Sequence, residues 1–315
     1  MTPVRSFLRA VTLTAAVWFA AASPLPAQEV QAFWRQTLAA LAQEPMEAKA
    51  EQLSEPLPYR KFRVTLRSLG GVPIRALLAL PVQGESPPRP WPAIVTVPGY
   101  GGTQQGVMLS ECMRGYAILQ VYPRSQGESA ELWKIDGPDK LTWRIARPEG
   151  AYYQGAYADV VRGIDYLASR PDIDAARIAL AGTSQGGGIA LAVAALDPRV
   201  KVVVAHVPFL CDLRQSARTP KALVKKLLDT AGCNNEACLR TLDFFDPLQL
   251  APSLRVPVLI SAGGKDDTCP AVTIRAVFDR IPGTKSLMLY PDLPHTSCAA
   301  FYEMSWPWLD LYLRH

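Results

Sequence analysis

The sequence predicts an α/β domain: a mostly parallel, eight-stranded sheet with helices on both faces. Three observations predict it. Short runs that are β-branched and almost continuously apolar recur along the chain, the pattern of strands buried on both faces. Helical patterns alternate with them, the mark of parallel β–α units. The first two runs flank Gly70-Gly71, a hairpin signal, so the sheet should begin antiparallel. At 315 residues the chain fits one large domain of this kind.

The elements follow in order. Residues 29–43 read as an amphipathic helix, and the Pro- and Glu-rich stretch 44–60 reads as a connection. Strands are expected at 62–69, 74–80, 93–97, 117–121, 177–181, 201–205, 257–261 and 286–290. Helices are expected at 154–169, 184–196, 221–230, 271–281 and 297–313. Two interruptions, near 124–153 and 207–246, read as insertions at the C-terminal edge of the sheet, where open α/β sheets bind ligands. They are expected to form pocket walls and a cap, with Pro208 and Phe209 as substrate-binding candidates.

Residues 1–27 read as an export signal. Arg5 and Arg9 precede an apolar, Ala-rich stretch, and Ala27 ends the small, turn-prone run that follows. The apolar stretch is short for a membrane span. The division is therefore a signal at 1–27, a helix and connecting segment at 28–60, and the α/β domain at 61–315, with a secreted or periplasmic destination. Charged residues are 19% of the chain, with no long charge run, which argues against a nucleic-acid partner and against disorder. A stable membrane partner is not expected either.

The strongest motif is Gly182-Thr183-Ser184-Gln185-Gly186. It fits G-x-S-x-G between a predicted strand and a predicted helix, the context in which a sharp turn exposes a nucleophilic serine. A hydroxyl attacks only beside a base. A helix N-terminus also offers free N–H groups to a developing oxyanion. With the antiparallel start, the motif predicts the α/β-hydrolase fold, in which nucleophile, acid and histidine follow in that order.

Of three histidines, His315 is terminal and expected to fray, and His206 ends a strand as a pocket-lining or structural residue. His295 follows the last strand, where the fold places its base. The acid belongs on the loop after strand 257–261, at Asp266 or its neighbour Asp267, with Asp266 preferred. Asp292 is expected to turn the base loop. The loop Pro98-Gly99-Tyr100-Gly101-Gly102 should bring a second oxyanion donor, the N–H of Tyr100, to join that of Gln185.

These residues resemble the acetyl xylan esterase and cephalosporin-C deacetylase group, carbohydrate esterase family 7. Pro98-Gly99-Tyr100 looks like that family's oxyanion loop. Arg124-Ser125-Gln126-Gly127 is similar to its R-G-Q-G motif, with Ser125 in place of Gly. Ala181 through Gly188 resembles its nucleophile motif, including the Gln after Ser, and Ser261 through Asp266 resembles its acid loop. The segment Tyr152-Tyr153 through Arg162-Gly163-Ile164 is also family-like. The resemblance places the acid at Asp266. It implies deacetylation of acetylated sugars without a metal or cofactor, often by a homo-oligomer, a hexamer. One departure is Thr296 after His295, where the family usually has Glu.

Six cysteines in an exported chain suggest disulfides. Cys233 and Cys238 are close enough in sequence for a local bridge. Cys269 and Cys298 each lie three residues beyond a proposed triad member, so either they bridge the two loops or they are separate buried thiols. Cys112 and Cys211 remain. No pair has C-x2-C or H-x3-H spacing, so no zinc site is expected. Rival readings on the same fold are a dienelactone-hydrolase-like or feruloyl esterase, a peptidase of the prolyl oligopeptidase type, and an inactive binding protein.

Overall fold

The structure, a computed structural model, describes residues 25–54, 58–82, 90–102 and 109–314. Nearly all of the expected export signal, and His315, lie outside the described residues. The chain enters with Leu25 buried and continues into α1 (Ala27–Gln43). This helix buries Val30, Phe33, Trp34, Thr37 and Leu41, which share one face at helical spacing. Trp34 stacks on Tyr157 at 5.3 Å, and its indole N–H donates to the carbonyl of Phe244 at 2.8 Å. The helix therefore ties the second insertion to the domain.

The sheet has nine strands among the described residues, one more than expected. The extra strand is β1 (Lys49–Gln52), inside the stretch read as a connection. All four of its residues are exposed, so no apolar alternation marks it in the sequence. It pairs antiparallel with β2 (Arg60–Arg67), from Lys49 opposite Thr65 to Gln52 opposite Phe62, with one exposed ion pair between Glu51 and Arg63 at 4.0 Å. β2 pairs antiparallel with β3 (Pro73–Leu80), as Gly70-Gly71 predicts.

Strand β4 (Trp91–Val97) and α2 (Leu109–Met113) follow, then β5 (Ala117–Tyr122) and α3 (Tyr152–Ala168). Next come β6 (Ile173–Thr183), α4 (Gln185–Leu196) and β7 (Val200–His206). The second insertion holds α5 (Leu213–Ser216), α6 (Leu223–Thr230), α7 (Glu236–Asp243) and α8 (Pro247–Leu250). The chain closes with β8 (Val258–Gly263), α9 (Ala271–Arg280), β9 (Lys285–Tyr290) and α10 (Ala299–Leu313). The strand order is β1-β2-β3-β5-β4-β6-β7-β8-β9, parallel from β5 onward.

Each central strand is apolar on both faces, and each face has its own core. Val95, Leu119 and Leu180 pack against α1, α3, α4 and α9, while Ile94, Ile118 and Val204 pack against α2 and α10. At roughly 1.5–3 kcal/mol per fully buried large aliphatic side chain, this two-sided burial is the main stabilising term. It makes the C-terminal ends of β4, β6, β7 and β8 a rigid platform.

The cysteines correct one expectation and satisfy another. Cys233 and Cys238 are joined, with Cα atoms 6.0 Å apart, in the second insertion. Cys269 and Cys298 are not bridged. Their loops do meet, but the side chains diverge: Cys269 turns inward beside Ser184, whereas Cys298 starts α10 against the hydroxyl of Tyr290. Cys112 and Cys211 are free and buried in the cores of opposite faces.

Candidate active site

Ser184 sits between β6 and α4 with φ 56° and ψ −120°, a left-handed conformation that costs energy for a residue with a Cβ. Two close approaches hold it there. A Cβ on Gly182 would lie 2.3 Å from the carbonyl carbon of Gly186, and one on Gly186 would lie 2.0 Å from the carbonyl oxygen of Val97. Only glycine fits either position. The backbone of the serine is fixed from its neighbour β7. Its N–H donates to the His206 carbonyl at 2.9 Å, and its carbonyl accepts from the N–H of Phe209 at 2.8 Å.

The loop after β9 brings His295 over the serine, with Nε2 3.0 Å from Ser184 Oγ. Nδ1 lies 2.7 Å from Asp266 Oδ2, on the loop after β8. The other carboxylate oxygen, Oδ1, accepts from the N–H groups of Thr268 at 2.9 Å and Cys269 at 2.8 Å. These bonds fix the Asp266 side chain and leave Oδ2 for the imidazole. Nδ1–H therefore donates to Asp266, and Nε2 accepts from the Ser184 hydroxyl. Asp266 is 5% exposed, as a charged group buried with full hydrogen bonding must be. Asp267 points to solvent and pairs with Lys221 at 3.3 Å, and Asp292 pairs with Lys265 at 2.6 Å in the base loop. Of the three carboxylates weighed, the structure brings only Asp266 to His295.

His206 is a brace. Burial lowers its pKa and favours the neutral ring. Its Nδ1 lies 2.5 Å from Ser261 Oγ and its Nε2 lies 3.0 Å from the Thr296 carbonyl, beside the base. The Thr296 carbonyl can only accept, so Nε2–H donates to it, Nδ1 of the neutral ring accepts the Ser261 proton, and Ser261 Oγ accepts in turn from the N–H of Val207 at 3.0 Å. The ring also stacks on Phe301 at 4.8 Å.

The expected oxyanion residues converge on the same turn. Gln185 is the first residue of α4, so its N–H has no acceptor within the helix. Gly99 backs directly onto the elbow, where a Cβ would lie 3.9 Å from that of Ser184. The phenol of Tyr100 donates to Asp139 at 2.7 Å and accepts from the N–H of Leu141 at 3.1 Å. Burial, then the Asp139 carboxylate, raises its pKa far above the ordinary phenol value, so it stays a donor. The first insertion is thereby tied to the oxyanion loop. Phe209 meets the Tyr100 ring edge-on at 5.6 Å, and Pro208 packs against Gly187. Both are buried behind the elbow and present little surface to solvent.

A positioning role for Gln126 escapes sequence reasoning, although its motif stands out there. Its Nε2 donates to the carbonyls of Gly99 at 3.1 Å and Tyr100 at 3.2 Å. Its Oε1 accepts from Gln185 Nε2 at 2.7 Å and from the Tyr152 hydroxyl at 3.1 Å. Gln185 Oε1 in turn accepts from Tyr153 at 3.1 Å. One buried amide thus fixes the Gly99–Tyr100 loop to the first residue of α4. Gln126→Leu leaves the Tyr100 carbonyl and the Gln185 amide without these partners, at about 1–3 kcal/mol each if they stay buried, while the Gly99 carbonyl keeps the N–H of Gly102. Because the donors then lose their alignment, kcat should fall about 10²-fold. Steady-state kinetics beside thermal melts check this, and unchanged kcat would contradict it.

A cavity of about 150 Å³ lies between the sheet and α10, on the face opposite α4, lined by Thr183, His206, Tyr302 and Trp306 among others. It opens behind the elbow rather than in front of the Ser184 hydroxyl.

A mostly parallel sheet with an antiparallel start and a serine on a strand-to-helix elbow defines an α/β-hydrolase. The chain belongs to the acetyl xylan esterase (AXE1) family, whose model matches residues 10–310. It is similar to the acetyl esterase Axe7A of Xylanibacter ruminicola, 31% identical over 168 residues. That stretch is 53% of this chain and 38% of that protein, so the match spans well under half of the relative's length. Among solved structures it is similar to an acetyl xylan esterase from Paenibacillus sp. R4. The TM-score is 0.83 at 29% identity, covering 90% of this chain and 95% of that one. Acetyl xylan esterase 1 from Thermoanaerobacterium sp. JW/SL YS485 shares the fold, with a TM-score of 0.82 at 22% identity over 92% and 95% of the two chains.

Proposed function

We propose that the protein is a serine carboxylic-ester hydrolase that removes acetyl groups from acetylated sugars or oligosaccharides through an acyl-serine intermediate. The observation that carries this reading is the unbroken hydrogen-bond chain from Ser184 through His295 to Asp266. Membership of the acetyl xylan esterase family supports the acyl group and the sugar.

In this reading Ser184 Oγ attacks the ester carbonyl while His295 Nε2 takes its proton. Asp266 holds the imidazole in the tautomer that can accept and stabilises its charged form. The N–H groups of Gln185 and Tyr100 hold the oxyanion. The sugar hydroxyl leaves with the proton from His295, and water activated by the same nitrogen releases acetate. Phe209 and Pro208 back the acyl end, and the two insertions flank the alcohol end.

The residues of the expected export signal and the Cys233–Cys238 bridge support a secreted or periplasmic location, where disulfides persist. Among the described residues no helix is long and apolar enough to cross a membrane. The substrate is a small acetylated carbohydrate, and a homo-oligomer is the assembly we propose.

The test measures acetate release from acetylated xylo-oligosaccharides, with hydrolysis of p-nitrophenyl acetate, p-nitrophenyl octanoate, feruloyl esters and a blocked peptide ester alongside. Acetyl esters should turn over fastest, the octanoate at least about tenfold more slowly, a loss within reach of a few kcal/mol of poor fit. Preference for the feruloyl or peptide substrate would replace this reading with the corresponding rival. Light scattering of the same preparation tests the assembly.

A further inference from the structure

Beside the proposed triad lies a nucleophilic group that the mechanism does not use. The thiol of Cys269 is 3% exposed and lies within 4.8 Å of donor atoms of both Asp266 and His295. A turn brings it there. Because Asp266 Oδ1 accepts from the N–H groups of Thr268 and Cys269, residues 266 and 269 present their side chains to the same side. The base loop adds His295 from above. One donor atom each from Asp266, Cys269 and His295 falls within 4.8 Å of the other two.

We propose that a thiophilic divalent cation of the zinc and cadmium class binds at this cluster, through Cys269 Sγ with His295 and Asp266, and reversibly switches the site off. Thiolate, imidazole and carboxylate together form a donor set suited to zinc, whereas magnesium and calcium take oxygen ligands. A tetrahedral zinc centre spaces its donors roughly 3.5 Å apart, so side-chain shifts of about 1 Å close the site. A water supplies a fourth oxygen. On binding, the sulfur gives its proton to solvent and coordinates as thiolate. The metal enters between Asp266 Oδ2 and His295 Nδ1 in place of the Nδ1 proton, and the neutral imidazole carries its proton on Nε2 instead. Nε2 then meets the Ser184 hydroxyl as a donor, so the nucleophile cannot be activated. This differs from a resident zinc site, for which the chain lacks the local spacing. The fold assembles these donors from two loops, and the cation acts as an inhibitor rather than a cofactor.

The inhibitory effect rests on His295 being the base, so the experiment reads binding and activity separately. The intact protein, freed of metal with EDTA, is titrated with ZnCl2 during p-nitrophenyl acetate hydrolysis, with MgCl2 as the control. CdCl2 titration, followed by the ultraviolet charge-transfer band of a cadmium–thiolate bond, reads binding alone. Zinc should inhibit, EDTA should reverse it, and magnesium should do nothing. Groups that merely hydrogen-bond a metal ligand cost about 10–100-fold in affinity when removed, so losing a ligand should cost at least as much. Cys269→Ala and Cys269→Ser should therefore need about 100-fold more zinc for half-inhibition, with basal turnover retained and the cadmium band lost. Ser184→Ala should keep the band. Absence of inhibition, or equal zinc sensitivity and an equal band in both Cys269 variants, overturns the proposal. A wild-type protein with the band but no esterase activity would instead sink the functional reading and leave the metal site standing.

Discussion

Ser184→Ala should lower kcat for acetyl ester hydrolysis by about 10⁶-fold, with residual turnover supplied only by binding and the oxyanion donors. The size of the loss follows from the chemistry. Without the hydroxyl there is no acyl-enzyme, and His295 has no positioned proton to take. The fold should survive. Alanine keeps the Cβ, so the strain at φ 56° is unchanged, and both backbone hydrogen bonds to β7 remain. Melting and circular dichroism should match the parent protein. A variant that retains its turnover would remove Ser184 from the mechanism and reopen the rival of an inactive binding scaffold for this site.

Asp266→Asn should lower kcat by about 10⁴-fold, while Asp267→Asn should change it less than about twofold. The argument is one of hydrogen-bond direction. The Asp266 oxygen held by the N–H groups of Thr268 and Cys269 must remain an acceptor. In the asparagine variant the amide oxygen takes that place, and its NH2 group faces His295. Nδ1 must then accept, Nε2 carries the proton, and the imidazole meets the Ser184 hydroxyl with a donor where it needs an acceptor. Asp267 is an exposed member of a surface pair, and such pairs are worth little. Comparing the two neighbours controls for general disturbance of the loop. Equal losses in both variants would refute the assignment of the acid.

Much of the fold was legible because its strands are buried on both faces. Runs such as 93–97 and 201–205 are short and almost continuously apolar, broken only by Thr96 and Lys201, and the structure extends each by only a residue or two. β1 was not legible, because Lys49–Gln52 carries no buried side chain and is held mainly by backbone pairing. α7 was hidden for a different reason: it is a short helix in an insertion whose reading was dominated by the cysteine pair.

At the site, the meeting of Ser184, Asp266 and His295 is legible because the fold fixes their order along the chain. The Gln126 network could not be traced. Its members come from the loop after β5, from α3 and from α4, and only the packed structure shows that their amides and hydroxyls point at one another. The same limit explains why the sequence leaves a bridge between Cys269 and Cys298 open. Sequence distance from the triad predicts that two loops approach, but not which way each side chain turns.

Strand β7 has a mechanical consequence. Its terminal residue carries the serine by a backbone carbonyl and steadies the histidine loop through an imidazole. The serine turn and the histidine loop thus share one anchor, so a disturbance at the end of β7 reaches both partners of the proton transfer together.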